Sequence, residues 1–169
     1  MKTLRALLFL LCAASAVVLT SCSAAVTERS LGVTADEVAS IQIYQYPWGE
    51  APDPLQRLTL DEAEPITLFV KGVTDIPLTA LEHTDPSALA GKETQGVRFI
   101  LKDGRTFEVT TMWVGPHDVI VFWPDGTVWN TVWGSPGIFE AYDEVGSVEE
   151  VPASDRPLVA FPRAPAATD

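Results

Sequence analysis

Apolar and polar positions alternate most regularly in "VRFILKDGRTFEV" (97–109), two strand-like arms around Lys102-Asp103-Gly104. A three-residue loop with glycine at the left-handed position of a type I turn plus bulge sets Phe99 against Phe107 and Val97 against Val109. The same register sets Arg98 against Glu108, an opposite-charge pair on the other face that contributes up to about 1 kcal/mol. A two-residue Asp-Gly turn would oppose Phe99 with Glu108 and mix the faces. The segment "VIVFWPDGTVWNTVW" (119–133) repeats the pattern around Pro124-Asp125-Gly126, with Pro124 supplying the φ of the first turn position. There Val121 faces Trp129 and Phe122 faces Val128. Two hairpins in series predict a four-stranded antiparallel meander.

Upstream, "VASIQIYQY" (38–46) reads as a strand with Ile41, Ile43 and Gln45 on one face, stopped by the prolines of "PWGEAPDP". "LDEAEPITLFVKGV" (60–73) changes period. Asp61, Glu62 and Glu64 crowd its start, where the helix dipole favours them, and Ile66, Phe69, Val70 and Val73 form one stripe. Its β-branched content leaves a strand as the alternative. "DIPLTALE" (75–82) reads as an edge strand because of Pro77. "GSPGIFEAYDEVG" (134–146) predicts a second helix, with Ser135 as cap, Pro136 at the first position and Gly146 at the end. Ile138, Ala141, Tyr142 and Val145 would be its apolar stripe. The fold class expected is α+β: an antiparallel meander of about five or six strands with two short helices packed on it.

The N-terminus follows another pattern. "MKTLR" places two positive charges before an apolar run from Ala6 to Val18. With its flank to Thr20 that run is about 22 Å long as a helix, short of the roughly 30 Å bilayer core, so it reads as a secretory signal. It ends on Leu19-Thr20-Ser21-Cys22, which resembles the lipobox of bacterial lipoproteins. The resemblance implies removal of residues 1–21 and diacylglycerol on the sulfur of Cys22, the new N-terminus. A thiolate suits that chemistry, and two acyl chains anchor stably where one does not. It also implies the outer membrane of a Gram-negative host, from Ser23, or the outer leaflet of the plasma membrane where there is one membrane. Cys12 leaves with the leader, so Cys22 has no intramolecular disulfide partner.

On this reading residues 22–37 are a short tether and residues 38–149 a single domain. The Pro/Ala-rich residues 150–169 read as a disordered tail in which "LVAF" could dock. The full sequence has 11 basic and 23 acidic residues; losing Lys2 and Arg5 leaves nine basic residues and a net charge of −14. Such a field disfavours nucleic acid and anionic lipid surfaces, so the acyl chains must do the anchoring.

Candidate chemistry is sparse. Both faces of the second hairpin are apolar, whereas an antiparallel sheet commonly wets one. Either both faces are covered, or Trp123, Trp129 and Trp133, with Trp113 beside them, form an aromatic binding surface. His83 with Asp85 and His117 with Asp118 supply two metal ligands each at most, fewer than a site needs. The acid pairs Asp143-Glu144 and Glu149-Glu150 read as solvated faces, and no nucleophile elbow or phosphate loop is present. The expectation is therefore a lipid-anchored, non-enzymatic envelope module without cofactor or metal, binding an envelope protein or cell-wall glycan. The alternatives are a glycan- or peptide-binding module using the aromatic face, and a small hydrolase whose acids converge only in three dimensions.

Overall fold

The two hairpins form the middle of a larger sheet. A computed structural model describes residues 26–74, 76–81, 85–132, 137–157 and 159. Nine strands are β1 Val26–Arg29, β2 Val38–Pro47, β3 Leu55–Leu60, β4 Ile76–Ala80, β5 Glu93–Leu101, β6 Thr106–Gly115, β7 Asp118–Phe122, β8 Val128–Thr131 and β9 Ser147–Val151. Two helices, α1 Ala63–Gly72 and α2 Ile138–Tyr142, complete the regular elements among the described residues, with three short 3-10 turns. The strands form one antiparallel sheet in the order β1-β4-β8-β7-β6-β5-β2-β3-β9.

Both hairpins have the register that their side chains demand. Val97, Arg98 and Phe99 pair with Val109, Glu108 and Phe107, and Val121 and Phe122 pair with Trp129 and Val128. Gly104 and Gly126 sit at φ 86° and 81°, the left-handed positions of the two loops. Phe99 and Phe107 stack with centroids 4.6 Å apart, and Arg98 Nε meets Glu108 Oε1 at 2.7 Å.

The sheet exceeds the expected five or six strands by β1, β3 and β9; β3 (LQRLTL) alternates Leu58-Thr59-Leu60 in step with β2, while β1 and β9 carry weak patterns of their own. β1 (VTER) has one apolar residue and β9 (SVEEV) is mostly exposed. Each exists because a neighbouring strand offers it a row of backbone partners. β4 is likewise not an edge: β1 covers its outer side. Its ladder to β8 is limited to Thr79↔Asn130 and Ala80↔Trp129, stopping short of Pro77, which lacks the N–H to continue it. The Pro77 carbonyl instead accepts from Thr131 Oγ1 at 2.8 Å.

Both faces of the sheet are covered, which explains the two apolar faces of the second hairpin. On the first, Ile66, Phe69 and Val70 of α1 pack on Ile41, Ile43, Leu58, Val97, Phe99 and Val121. The helical stripe of 60–73 is thus real; Phe69 meets Phe99 edge-on, with centroids 5.9 Å apart. Leu31, Val33, Ile138, Phe139 and Tyr142 close the same layer, and Leu31, Phe69, Val121 and Ile138 line an apolar cavity of about 50 Å³ within it. α2 departs from its expected stripe: Phe139 joins Ile138 and Tyr142 on the core, while Ala141 and Val145 are exposed. It starts at Ile138 behind Gly137; Ser135 and Pro136 lie outside the described residues.

The second face holds Met112, Ile120, Phe122 and Val128 under Leu89, Trp48 and Val159. Beside them Tyr44, Tyr46, Leu55 and Val151 lie under the chain that follows β9. Where composition predicts a disordered tail from 150, Glu150 and Val151 complete β9 and residues 152–157 cross this face as a strap. Pro157 lies over Gly96 so closely that a β-carbon there would stand 2.8 Å from the proline ring. The expected tether shortens as well, since residues 26–29 are β1 and Thr34 caps a turn at 35–37, its N–H donating to Glu37 Oε2 at 2.8 Å.

Candidate functional site

The tryptophans occupy two settings. Trp123 and Trp129, half-buried, bracket the guanidinium of Arg29 from β1, its centre 4.8 Å from the Trp129 ring and 5.6 Å from that of Trp123. Asp125 holds Arg29 Nη1 at 2.9 Å, and Trp129 Nε1 donates to Thr127 Oγ1 at 2.6 Å. The space between the two rings is thus filled by the chain's own cation, in a cation–π arrangement. Trp113, also half-buried, packs on the helix-covered core. Trp133, His83 and Cys22 lie outside the described residues. His117 is exposed in the β6–β7 turn at φ 65°. Asn130 Nδ2 donates to the neighbouring Asp118 carboxylate.

The more open geometry flanks α2, and sequence reasoning did not reach it. On one side a cleft of about 220 Å³ is lined by Gln45, Gln56, Phe139 and Glu140. The Gln45 amide nitrogen donates to Glu93 Oε1 at 2.8 Å and to Glu140 Oε1 at 3.4 Å, so two exposed carboxylates converge on one amide. The carbonyl oxygen of Gln45 is buried and accepts no hydrogen bond among the described residues. Strand parity was the available signal: β2 and β5 place Gln45 opposite Gln95, and Pro47, two residues on, opposite Glu93. The contribution of Glu140 depends on where α2 docks, which no local pattern encodes.

On the other side of α2 a groove of about 780 Å³ runs between the start of α1 and the start of β9. Leu68, Pro65, Tyr142 and Val145 supply apolar surface, and Glu62, Glu64 and Glu144 rim it. Leu68 and Val145 are 57% and 52% exposed, large values for such side chains. The chain passes close to the sheet here: a β-carbon on Gly146 would stand 2.5 Å from Leu58 Cδ1.

On the opposite face a polar network ties down the strap. Tyr44 is fully buried, and its hydroxyl donates to Asp155 Oδ2 at 2.9 Å and accepts from Arg98 Nη1 at 2.8 Å. Arg57 Nη1 reaches the same carboxylate at 2.6 Å, and Arg98 Nη2 donates to the Asp155 carbonyl at 2.7 Å. Burial pushes the Tyr44 phenol up to about 12, and does the same for Tyr46. Burial also works to raise the Asp155 carboxyl, but the Tyr44 hydroxyl and the Arg57 and Arg98 guanidiniums outweigh it and hold the group below the usual carboxylate range. The network is a structural clasp between strap and sheet.

Among the described residues no three His, Cys, Asp or Glu side chains are grouped to hold a metal ion, and no helix is long and apolar enough to cross a membrane. Compared with known proteins, the chain matches no family, no curated protein and no solved structure.

Proposed function

We propose that the protein is a lipid-anchored, non-enzymatic envelope module that binds another component at the membrane surface. One observation carries this reading: three residues separate Cys22 from Val26, the first residue of β1. Four Cα steps span at most about 14 Å, so a lipid on Cys22 would hold the sheet against the headgroups. Anchoring then confines the domain to a thin layer and raises its effective concentration toward neighbours in that layer. The open clefts beside α2 are the surfaces such neighbours would meet. Metabolic labelling with a radioactive fatty acid and intact-mass analysis test the anchor. The wild type should carry the label and lack residues 1–21, and Cys22→Ser should carry no label and retain them. An unmodified Cys22 thiol in the membrane-derived protein would refute it.

A second reading, binding or hydrolysis of a glycan, is favoured by Glu93 and Glu140. Both lie within reach of the same Gln45 nitrogen, so the contacting oxygens are no more than about 6 Å apart, within the span of paired glycosidase carboxylates. Both side chains are exposed, whereas a general acid needs shielding from water, so binding ranks above cleavage. An aromatic platform at Trp123 and Trp129 would first require the displacement of Arg29. Release of reducing ends from cell-wall polymer by the wild type, abolished in Glu93→Gln and in Glu140→Gln, would establish the enzyme; no release by the wild type would leave binding.

A further inference from the structure

From the groove between α1 and β9 we infer a docking surface for an extended, cationic segment of a partner protein that carries apolar side chains. The inference deepens the reading of the protein as a binding module but does not depend on the lipid. Three large apolar side chains are exposed in this one region: Leu68 on α1, Val145 after α2, and Val148 on β9, at 57%, 52% and 45%. Leu68 and Val145 line one groove, and Val148 lies directly opposite the buried Leu58 of β3. Apolar side chains gathered beside a cleft and rimmed by polar ones are a feature of interaction sites.

The surroundings specify the occupant's charge. Glu62, Glu64 and Glu144 line the groove, and Glu150 projects from the same side of β9 as Val148. None of these four carboxylates has an ion-pair partner among the described residues. The cations on the bordering elements do not reach them: Lys71 is in the last turn of α1, and Arg57 is engaged by Glu149 and Asp155 on the other face. Within reach of a ligand the rim is therefore negative.

The backbone specifies the occupant's shape. β9 is the last strand of the sheet, and Ser147 to Glu150 are exposed. Such an edge offers unpaired N–H and C=O groups to one further strand, and the acids at 149 and 150 discourage a second copy of this chain from pairing there. A segment whose groove-facing positions, every second residue, carry lysine and an apolar side chain by turns fits both demands: apolar side chains on Val148 and Leu68, ammonium groups on the glutamates.

The test uses the full-length processed protein in detergent micelles, with the mass of Cys22 recorded in the same preparation. A fluorescein-labelled Lys-Ser-Val-Ser repeat (the Lys-Val peptide), with lysine and valine by turns on one face, is titrated by anisotropy beside Glu-Ser-Val-Ser (Glu-Val) and Lys-Ser-Ser-Ser (Lys-Ser) repeats of equal length. The Lys-Val peptide should bind at least about ten-fold more tightly than either control. Leu68→Ser with Val145→Ser should weaken it about ten-fold, and Glu64→Lys with Glu144→Lys should transfer the preference to the Glu-Val peptide. Glu50→Lys, an exposed site elsewhere, should change affinity less than two-fold. Equal binding of all three peptides, or equal loss in Glu50→Lys, would overturn the inference, as would binding of cationic glycan oligomers in place of the peptide. Failure with an acylated Cys22 removes this surface and leaves the anchor; success with a free thiol does the reverse.

Discussion

At the scale of single residues, Asp155 joins the strap to the sheet. Its carboxylate takes hydrogen bonds from Tyr44 and Arg57 and faces Arg98, so Asp155→Ala leaves two partly buried guanidiniums with one carboxylate partner each, Glu149 and Glu108, in place of two. The expected cost is roughly 1–3 kcal/mol, read as a lower midpoint in urea. The same group gives an acid response. Because its folded pKa lies below the unfolded value, its stabilisation is complete above that unfolded value and is lost as pH falls through the folded one. The tyrosines act at the other end of the scale. Tyr44 and Tyr46 keep their protons up to about 12 when folded, while unfolded phenols ionise near 10, so stability should fall as pH rises between the two. A pH series of denaturant midpoints checks both limbs, and Tyr44→Phe should flatten part of the alkaline one. Gly146 is a position of close approach: Gly146→Ala drives a methyl into Leu58, Leu60 and the Thr59 carbonyl, for a loss of about 1–3 kcal/mol.

At the scale of elements, the hairpins are set locally and the strap is not. Gly126→Val imposes a β-branched side chain on a residue at φ 81° and should cost about 1–2 kcal/mol without changing the register, since the cross-strand pairs remain. Deleting residues 152–169 should act differently. It removes the cover of Tyr44 and Tyr46, and spectrophotometric titration should then show phenol midpoints falling from about 12 toward 10. Unchanged midpoints would mean that the strap does not shield them. The hairpins were legible because Phe99 and Phe107, or Arg98 and Glu108, meet across a loop of three residues. β9 was not, because Ser-Val-Glu-Glu-Val has no pattern of its own and pairs with β3, about 90 residues away in the chain. Tail composition misled for a related reason. Pro157 and Asp155 look like disorder-promoting residues until Gly96 and the Tyr44–Arg98 pair supply their partners.

At the scale of the whole molecule, the sheet has two ends of different character. β1 begins just beyond Cys22, and β9 carries the exposed valine and glutamates beside the α1–α2 groove. If the sulfur is acylated, one edge of the sheet is committed to the membrane and the other remains for partners. A variant beginning at Ser23, without leader or lipid, should leave the membrane yet keep its thermal midpoint within a degree or so, because the core clusters are built from residues 31 onward. A large drop in midpoint would show that the bilayer also supports the fold.

The amino-acid sequence alone determined the alternation that sets the register of β5–β8, the glycines that turn them, the stripe of α1 and the leader whose end resembles a lipobox. These are local: the residues concerned lie within a few positions of one another, so their sterics and polarity decide. Only the tertiary structure decided that Arg29 fills the space between Trp123 and Trp129, that Glu93 and Glu140 share the amide of Gln45, and that the chain after Val151 covers the sheet. Those contacts join residues dozens of positions apart, and their free energy depends on how whole layers pack.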